Sequence, residues 1–217
     1  MLIGMVGFIG SGKGTVGDIL VNKYGFKKDA YANPLKDCVA TIFGWDREML
    51  EGSEAWSRLA RDQEEPFWTK RIGSMTPRRA LQLMGTEAGR NVFHKDIWLY
   101  ALERRLDLSK DYVITDVRFK NEIEFIHKLG GVVVRIKRGH EPLWYDRACA
   151  TNNQLDLPRH ESMDVEPYDN VHVSEWDWCG HDLITECITN EGTLAELEIK
   201  VDKLVDSYRS KAYTVSL

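Results

Sequence analysis

Residues 7–15 read G-F-I-G-S-G-K-G-T, directly behind the apolar run Leu2–Val6. Such a stretch could hold a phosphate chain. Glycines let successive backbone N–H groups curl around an anion. A helix starting near Lys13 would point its positive end at the same place. The Lys13 ammonium can reach β- and γ-phosphate oxygens, and a hydroxyl can face Mg²⁺. Gly10, Ser11, Gly12, Lys13, Gly14 and Thr15 are therefore the candidate ATP-phosphate residues. The spacing departs from the common form at one place: Gly14 follows Lys13, and the hydroxyl comes one residue later, at Thr15. Thr15 is the candidate metal residue, with Ser11 as the other hydroxyl in reach.

A second set of charges lies in V-I-T-D-V-R, residues 113–118. It puts an acid and an arginine at the end of an apolar strand, where ligands meet an open α/β sheet. Asp116 could hold Mg²⁺ directly or through water, or orient an attacking phosphate. Arg118 could clamp a phosphate through two parallel hydrogen bonds. In R-R-A-L-Q, residues 78–82, Arg78 and Gln82 share one helical face and Leu81 looks the other way. Arg78 and Arg79 suit an acceptor phosphate, and the Gln82 amide suits a base. Lys36 could join them, and Trp68 could stack on a base. Arg138, Arg147 and Arg159 could close over the transfer as lid arginines, Arg138 first among them. In T-N-E-G-T-L, residues 189–194, Asn190 and Gly192 are candidates for the side of the donor base, with Thr193 as a helix cap.

The elements that would carry these residues alternate. Strands are expected at Leu2–Val6, Phe26–Ala32, Tyr112–Thr115, Val132–Ile136 and Leu183–Ile188. Helices are expected at Lys13–Lys23, from Asn33-Pro34 to Phe43 with Asn33 as a cap, at Thr76–Arg90, Asp96–Leu106, through Ile123–Leu129, and at Leu194–Tyr208. Residues 45–75 read as short helices and loops, and 139–180 show little periodicity. The order implies a mostly parallel α/β sheet in three layers. A core of 1–32, 107–138 and 183–209 is expected, with a helical acceptor-binding region at 33–106 and a lid at 139–182.

Composition narrows the function. The net charge is −5, with both signs scattered, which argues against a non-specific nucleic-acid binder. No run of about 18 apolar residues suggests a membrane span, and no secretory signal is visible. Four cysteines without paired spacing read as reduced thiols of a cytoplasmic protein. His172, Cys179, His181 and Cys187 match no common zinc spacing. A GTPase would need an Asn-Lys-x-Asp segment, and Asn22-Lys23-Tyr24-Gly25 lacks the acid.

Taken in order, G-F-I-G-S-G-K-G-T, A-N-P-L-K-D, R-R-A-L-Q-L-M-G-T-E, V-I-T-D-V-R-F-K-N-E, V-V-V-R-I-K-R-G and I-T-N-E-G-T-L-A-E-L span residues 7–197. The set resembles the bacteriophage deoxynucleoside monophosphate kinase family. The resemblance implies a P-loop kinase fold and transfer of the ATP γ-phosphoryl group to a deoxynucleoside monophosphate. It places ATP on Lys13 and the loop, and acceptor-side or catalytic roles on Arg78, Arg79, Gln82, Asp116 and Arg118. The alternatives are a dephospho-coenzyme A kinase-like enzyme, a nucleotide-dependent binding module and a nucleic-acid end kinase. A homodimer stays open, since no apolar stripe singles out an interface.

Overall fold

The computed structural model describes residues 1–52, 54–154 and 171–214, with side chains to residue 210. The chain falls into two compact units, Met1–Asp29 with Leu108–Leu217, and Ala30–Asp107.

The first unit is a five-stranded parallel sheet in the order β2-β3-β1-β4-β5. Its strands are β1 (Leu2–Val6), β2 (Lys27–Asp29), β3 (Tyr112–Ile114), β4 (Val132–Lys137) and β5 (Ile184–Thr189). Central β1 is buried along its whole length, which explains its unbroken apolar sequence. On one face, Ile3, Met5, Val134 and Ile136 pack against helix α1 (Lys13–Tyr24) and the C-terminal helix α9 (Leu194–Thr214), whose inward stripe is Leu197, Val201, Leu204 and Val205. The other face carries Gly4, and a Cβ there would lie 3.2 Å from Ile126 of helix α7 (Lys120–Lys128). Helices thus cover both faces. Short helix α8 (Tyr145–Asn152) and a 3-10 turn at Val173–Glu175 lie between β4 and β5.

The second unit is helical. It holds α2 (Asn33–Phe43), α3 (Ala55–Asp62), α4 (Pro66–Ile72), α5 (Pro77–Gln82), a π-helix (Leu83–Phe93) and α6 (Ile97–Glu103). Val39, Leu50, Met75, Ala80 and Leu81 form its core. Two expectations change here. Asn33 is the first residue of α2 rather than its cap; Ala32 precedes it and no side chain caps the end. The helix expected through Arg90 widens after Gln82. The indole of Trp98 gives its N–H to the Gly85 carbonyl at 2.8 Å. A side chain inserted at that point displaces the regular i→i−4 ladder.

Candidate functional site

The glycine loop links β1 to α1. Gly12 caps α1 in a left-handed conformation at φ 98°, and no side chain makes a capping hydrogen bond to the helix start. The first N–H groups of α1 thus retain their capacity for an anion. A Cβ at Gly12 would come within 2.2 Å of the Asn190 amide nitrogen, and that amide donates to the Ser11 carbonyl at 3.0 Å. The Asn190 backbone N–H in turn donates to Lys137 at the end of β4, at 2.7 Å. Asn190 therefore props the loop against the sheet. The fold, which brings residue 190 under residue 11, reveals this link. Gly192 lies beside Glu196, whose carboxylate accepts from the Thr193 N–H at 2.7 Å. The Glu196 N–H donates back to the Thr193 hydroxyl at 3.3 Å, which completes a reciprocal cap of α9.

Lys13 turns its ammonium back on the loop and donates to the carbonyls of Gly7 and Phe8, the latter at 3.0 Å. Burial and the nearby Arg118 lower its pKa from 10.5 to about 8, while Glu175 and Asp116 pull the other way. These four charged groups share one locality. Ser11 is 3% exposed and its hydroxyl has no hydrogen-bond partner, while Thr15 is exposed on the first turn of α1. An orphaned hydroxyl, a glycine cradle and an uncapped helix start fit a nucleotide phosphate chain. Thr15 and Asp116 are oxygen donors of the kind Mg²⁺ takes.

Arg118 is fixed from below. The buried Glu122 accepts the backbone N–H groups of Arg118 at 2.8 Å and Phe119 at 3.2 Å. This sets the path from β3 into α7 and directs the guanidinium, which pairs with Glu175 in the 3-10 turn. Both acids escaped the sequence reading. Glu122 had a signal, an acid three residues into a helix. Glu175 had none, since it stands 57 residues from Arg118 in an aperiodic segment.

The remaining candidates are placed as follows. Arg138 and Arg147 are exposed, and Arg159 lies outside the described residues, as do residues 155–170 of the expected lid. In the helical unit Arg78, Arg79 and Gln82 share the exposed side of α5, opposite the buried Ala80 and Leu81. Arg78 pairs with Asp62, and Lys36 with Glu51 at 2.6 Å. Trp68 packs on Phe43 and gives its indole N–H to the Phe43 carbonyl at 3.0 Å, so it serves the small core of that unit. A cavity of about 450 Å³ in the sheet unit is lined by Arg135, Tyr145, Trp178, His181 and Cys187 among others, and by none of the candidate site residues. Among the described residues no cluster of three or more His, Cys, Asp or Glu is arranged to hold a metal, and no helix is long and apolar enough to cross a membrane.

A parallel α/β sheet whose first strand feeds such a loop defines a P-loop fold. The family model for deoxynucleotide monophosphate kinases matches residues 51–148. A protein of Acanthamoeba polyphaga mimivirus, named as a deoxynucleotide monophosphate kinase, is 32% identical over 187 residues, covering 80% of this chain and 88% of the relative. The deoxynucleoside-5'-monophosphate kinase of Escherichia phage T5 is 28% identical over 182 residues, covering 59% of this chain and 72% of that one. The chain belongs to the deoxynucleotide monophosphate kinase family. Among solved structures, dephospho-CoA kinase from Campylobacter jejuni aligns over 95% of this chain and 96% of that one with a TM-score of 0.46 and 18% identity, too distant to choose an acceptor.

Proposed function

We propose that the protein transfers the γ-phosphoryl group of ATP to a deoxynucleoside monophosphate, giving the diphosphate and ADP. The observation that carries this reading is the glycine loop that opens an uncapped helix start, with the buried Ser11 hydroxyl left without a partner beside it. An acceptor phosphate oxygen attacks the γ-phosphorus, the bond to the β-bridging oxygen breaks, and no covalent enzyme intermediate is needed. Gly10, Ser11, Gly12, Gly14 and Thr15 line the donor phosphates, and Lys13 and Arg118 neutralise charge on the transferred group. Thr15 and Asp116 would hold Mg²⁺, which shields the phosphate oxygens when bound. Arg78, Arg79, Gln82 and Lys36 are the acceptor-side residues of the helical unit, and Arg138 is a lid arginine. The viral and phage relatives favour work in a host cytoplasm.

The test is ADP release with ATP, Mg²⁺ and each of dTMP, dGMP, dCMP and dAMP, their ribose counterparts, and dephospho-coenzyme A. Turnover with at least one deoxynucleotide is the expected result. Turnover with dephospho-coenzyme A alone overturns the acceptor assignment. Silence throughout, with ATP still bound, replaces the kinase by a nucleotide-dependent binding module.

Lys13 makes nucleotide affinity pH-dependent. Phosphate binding selects the ammonium, and with a pKa of about 8 the ammonium is the major form at pH 7 and the minor one at pH 9. ATP affinity is expected to fall about tenfold between those values, with proton uptake on binding that grows through pH 8. Calorimetry in buffers of different ionisation enthalpy reads both; a flat profile refutes the depressed pKa. Folding moves the opposite way. A cation with a lowered native pKa opposes folding below about pH 8, and that cost is relieved as pH rises from 8 towards 10.5.

A further inference from the structure

The Arg118–Glu175 pair is unusual in its setting. Glu175 pairs directly with Arg118, and the charges of both act on the Lys13 ammonium. The acid reaches this place from a 3-10 turn whose far side is tied down. The Asn152 amide donates to the carbonyls of Trp176 at 3.0 Å, Asp177 at 3.2 Å and Cys179 at 2.9 Å. The Lys120 N–H donates to the Asp177 carboxylate at 2.8 Å. Trp178 is buried, with its ring 5.0 Å from that of Phe8 in the glycine loop. The turn is thus fastened both to the start of α7, two residues beyond Arg118, and to the loop that seats Lys13. Glu175 stands immediately before the first anchored residue, at the place where two cations need an anion.

We propose that Glu175 is an internal stand-in anion: its carboxylate holds the Arg118 guanidinium until a substrate phosphate takes it over. This rests on the reading of Arg118 as a phosphate clamp. The Glu175 carboxylate accepts from Nη1 of Arg118, a donor that a phosphate oxygen would also take, so the two anions compete for it. A phosphate oxyanion of higher charge displaces Glu175, and a singly charged anion does so poorly. The pair keeps Arg118 oriented and sets a charge threshold for what may enter. Glu175 is a specificity-determining residue that acts through Arg118.

The test is binding of inorganic pyrophosphate, without Mg²⁺ and with a chelator present, to the full chain and to Glu175→Gln. The side chain of Glu175 is 36% exposed, so the substitution leaves the core alone. Partly exposed ion pairs contribute modestly, so the variant should bind pyrophosphate about three- to five-fold tighter. Glu175→Asp, which keeps the charge, should stay near the unmodified protein. The gain should vanish in Arg118→Ala/Glu175→Gln. In turnover, KM should fall by a similar factor with kcat within about twofold. Unchanged or weaker pyrophosphate binding, a gain that survives loss of Arg118, or a fall in kcat at constant KM each overturns the proposal. A Glu175→Gln that melts early is replaced by Glu175→Ala, to which the same outcomes apply. Pyrophosphate binding needs no phosphoryl transfer. A tighter-binding variant of a protein inactive on every deoxynucleotide would therefore refute the kinase reading alone.

Discussion

Lys13→Ala is expected to lower turnover at least a hundredfold while the melting temperature stays within about 4 °C of the unmodified protein. The two halves have separate causes. A preorganised cationic donor aimed at developing charge contributes about a factor of 10²–10³ to a transfer step. Nothing else on the loop supplies a positive charge at that place; Arg118 comes from the path between β3 and α7. Stability, by contrast, gains little from Lys13. Burial lowers its pKa to about 8, so at neutral pH the ammonium is a cost that its bonds to Gly7 and Phe8 offset. Removing both leaves a net change of about 1 kcal/mol or less, which is about 2–4 °C for a chain of this size. Lys13→Arg is not expected to restore the activity, because a planar guanidinium cannot replace a compact ammonium seated on two carbonyls. Activity above a tenth of the unmodified level would remove Lys13 from the transfer step. A large fall in melting temperature would show that it is structural instead.

What the sequence makes legible follows the range of the forces involved. The inner strands β1, β3 and β4 are largely apolar runs closed by glycine or charge, and four of the five strands lie within one residue of their expected bounds. The glycine loop is local chemistry too: strand, turn and helix start are adjacent in the chain. β2 is shorter than expected, because Phe26 is core while Lys27, Lys28 and Asp29 alone form the ladder to β3. The π-helix was not legible, since its cause is the indole of Trp98, 13 residues beyond Gly85. Asn190 could be placed near the nucleotide side but not assigned its task, because the Ser11 carbonyl it meets is 179 residues away. Glu175 is the sharpest case. Its helix is a single 3-10 turn without periodicity, and its partner is set by two anchors in other segments.

Gly7→Ala is the substitution that should damage the fold most at least chemical change. Gly7 follows β1 with φ 146°, and a Cβ there would lie 2.3 Å from the carbonyl oxygen of Ile136 and 3.3 Å from its carbon. The obstacle is backbone of β4, flanked by β1 on one side and by β5 through the Ile136–Ile188 register on the other. It cannot swing aside as a side chain would. Backbone strain and overpacking together should cost about 3 kcal/mol or more, a fall of about 6–12 °C in melting temperature. Gly14→Ala is the control. Its position is helical, open space surrounds its Cβ, and alanine favours the helix, so no fall is expected. Calorimetry on the two variants decides the matter, and a Gly7→Ala that melts within 2 °C of its parent would refute the clash. The loss should also exceed what unfolding explains. The Gly7 carbonyl seats the Lys13 ammonium, so moving that carbonyl moves the charge. Turnover of Gly7→Ala should therefore drop at temperatures where circular dichroism shows the variant fully folded.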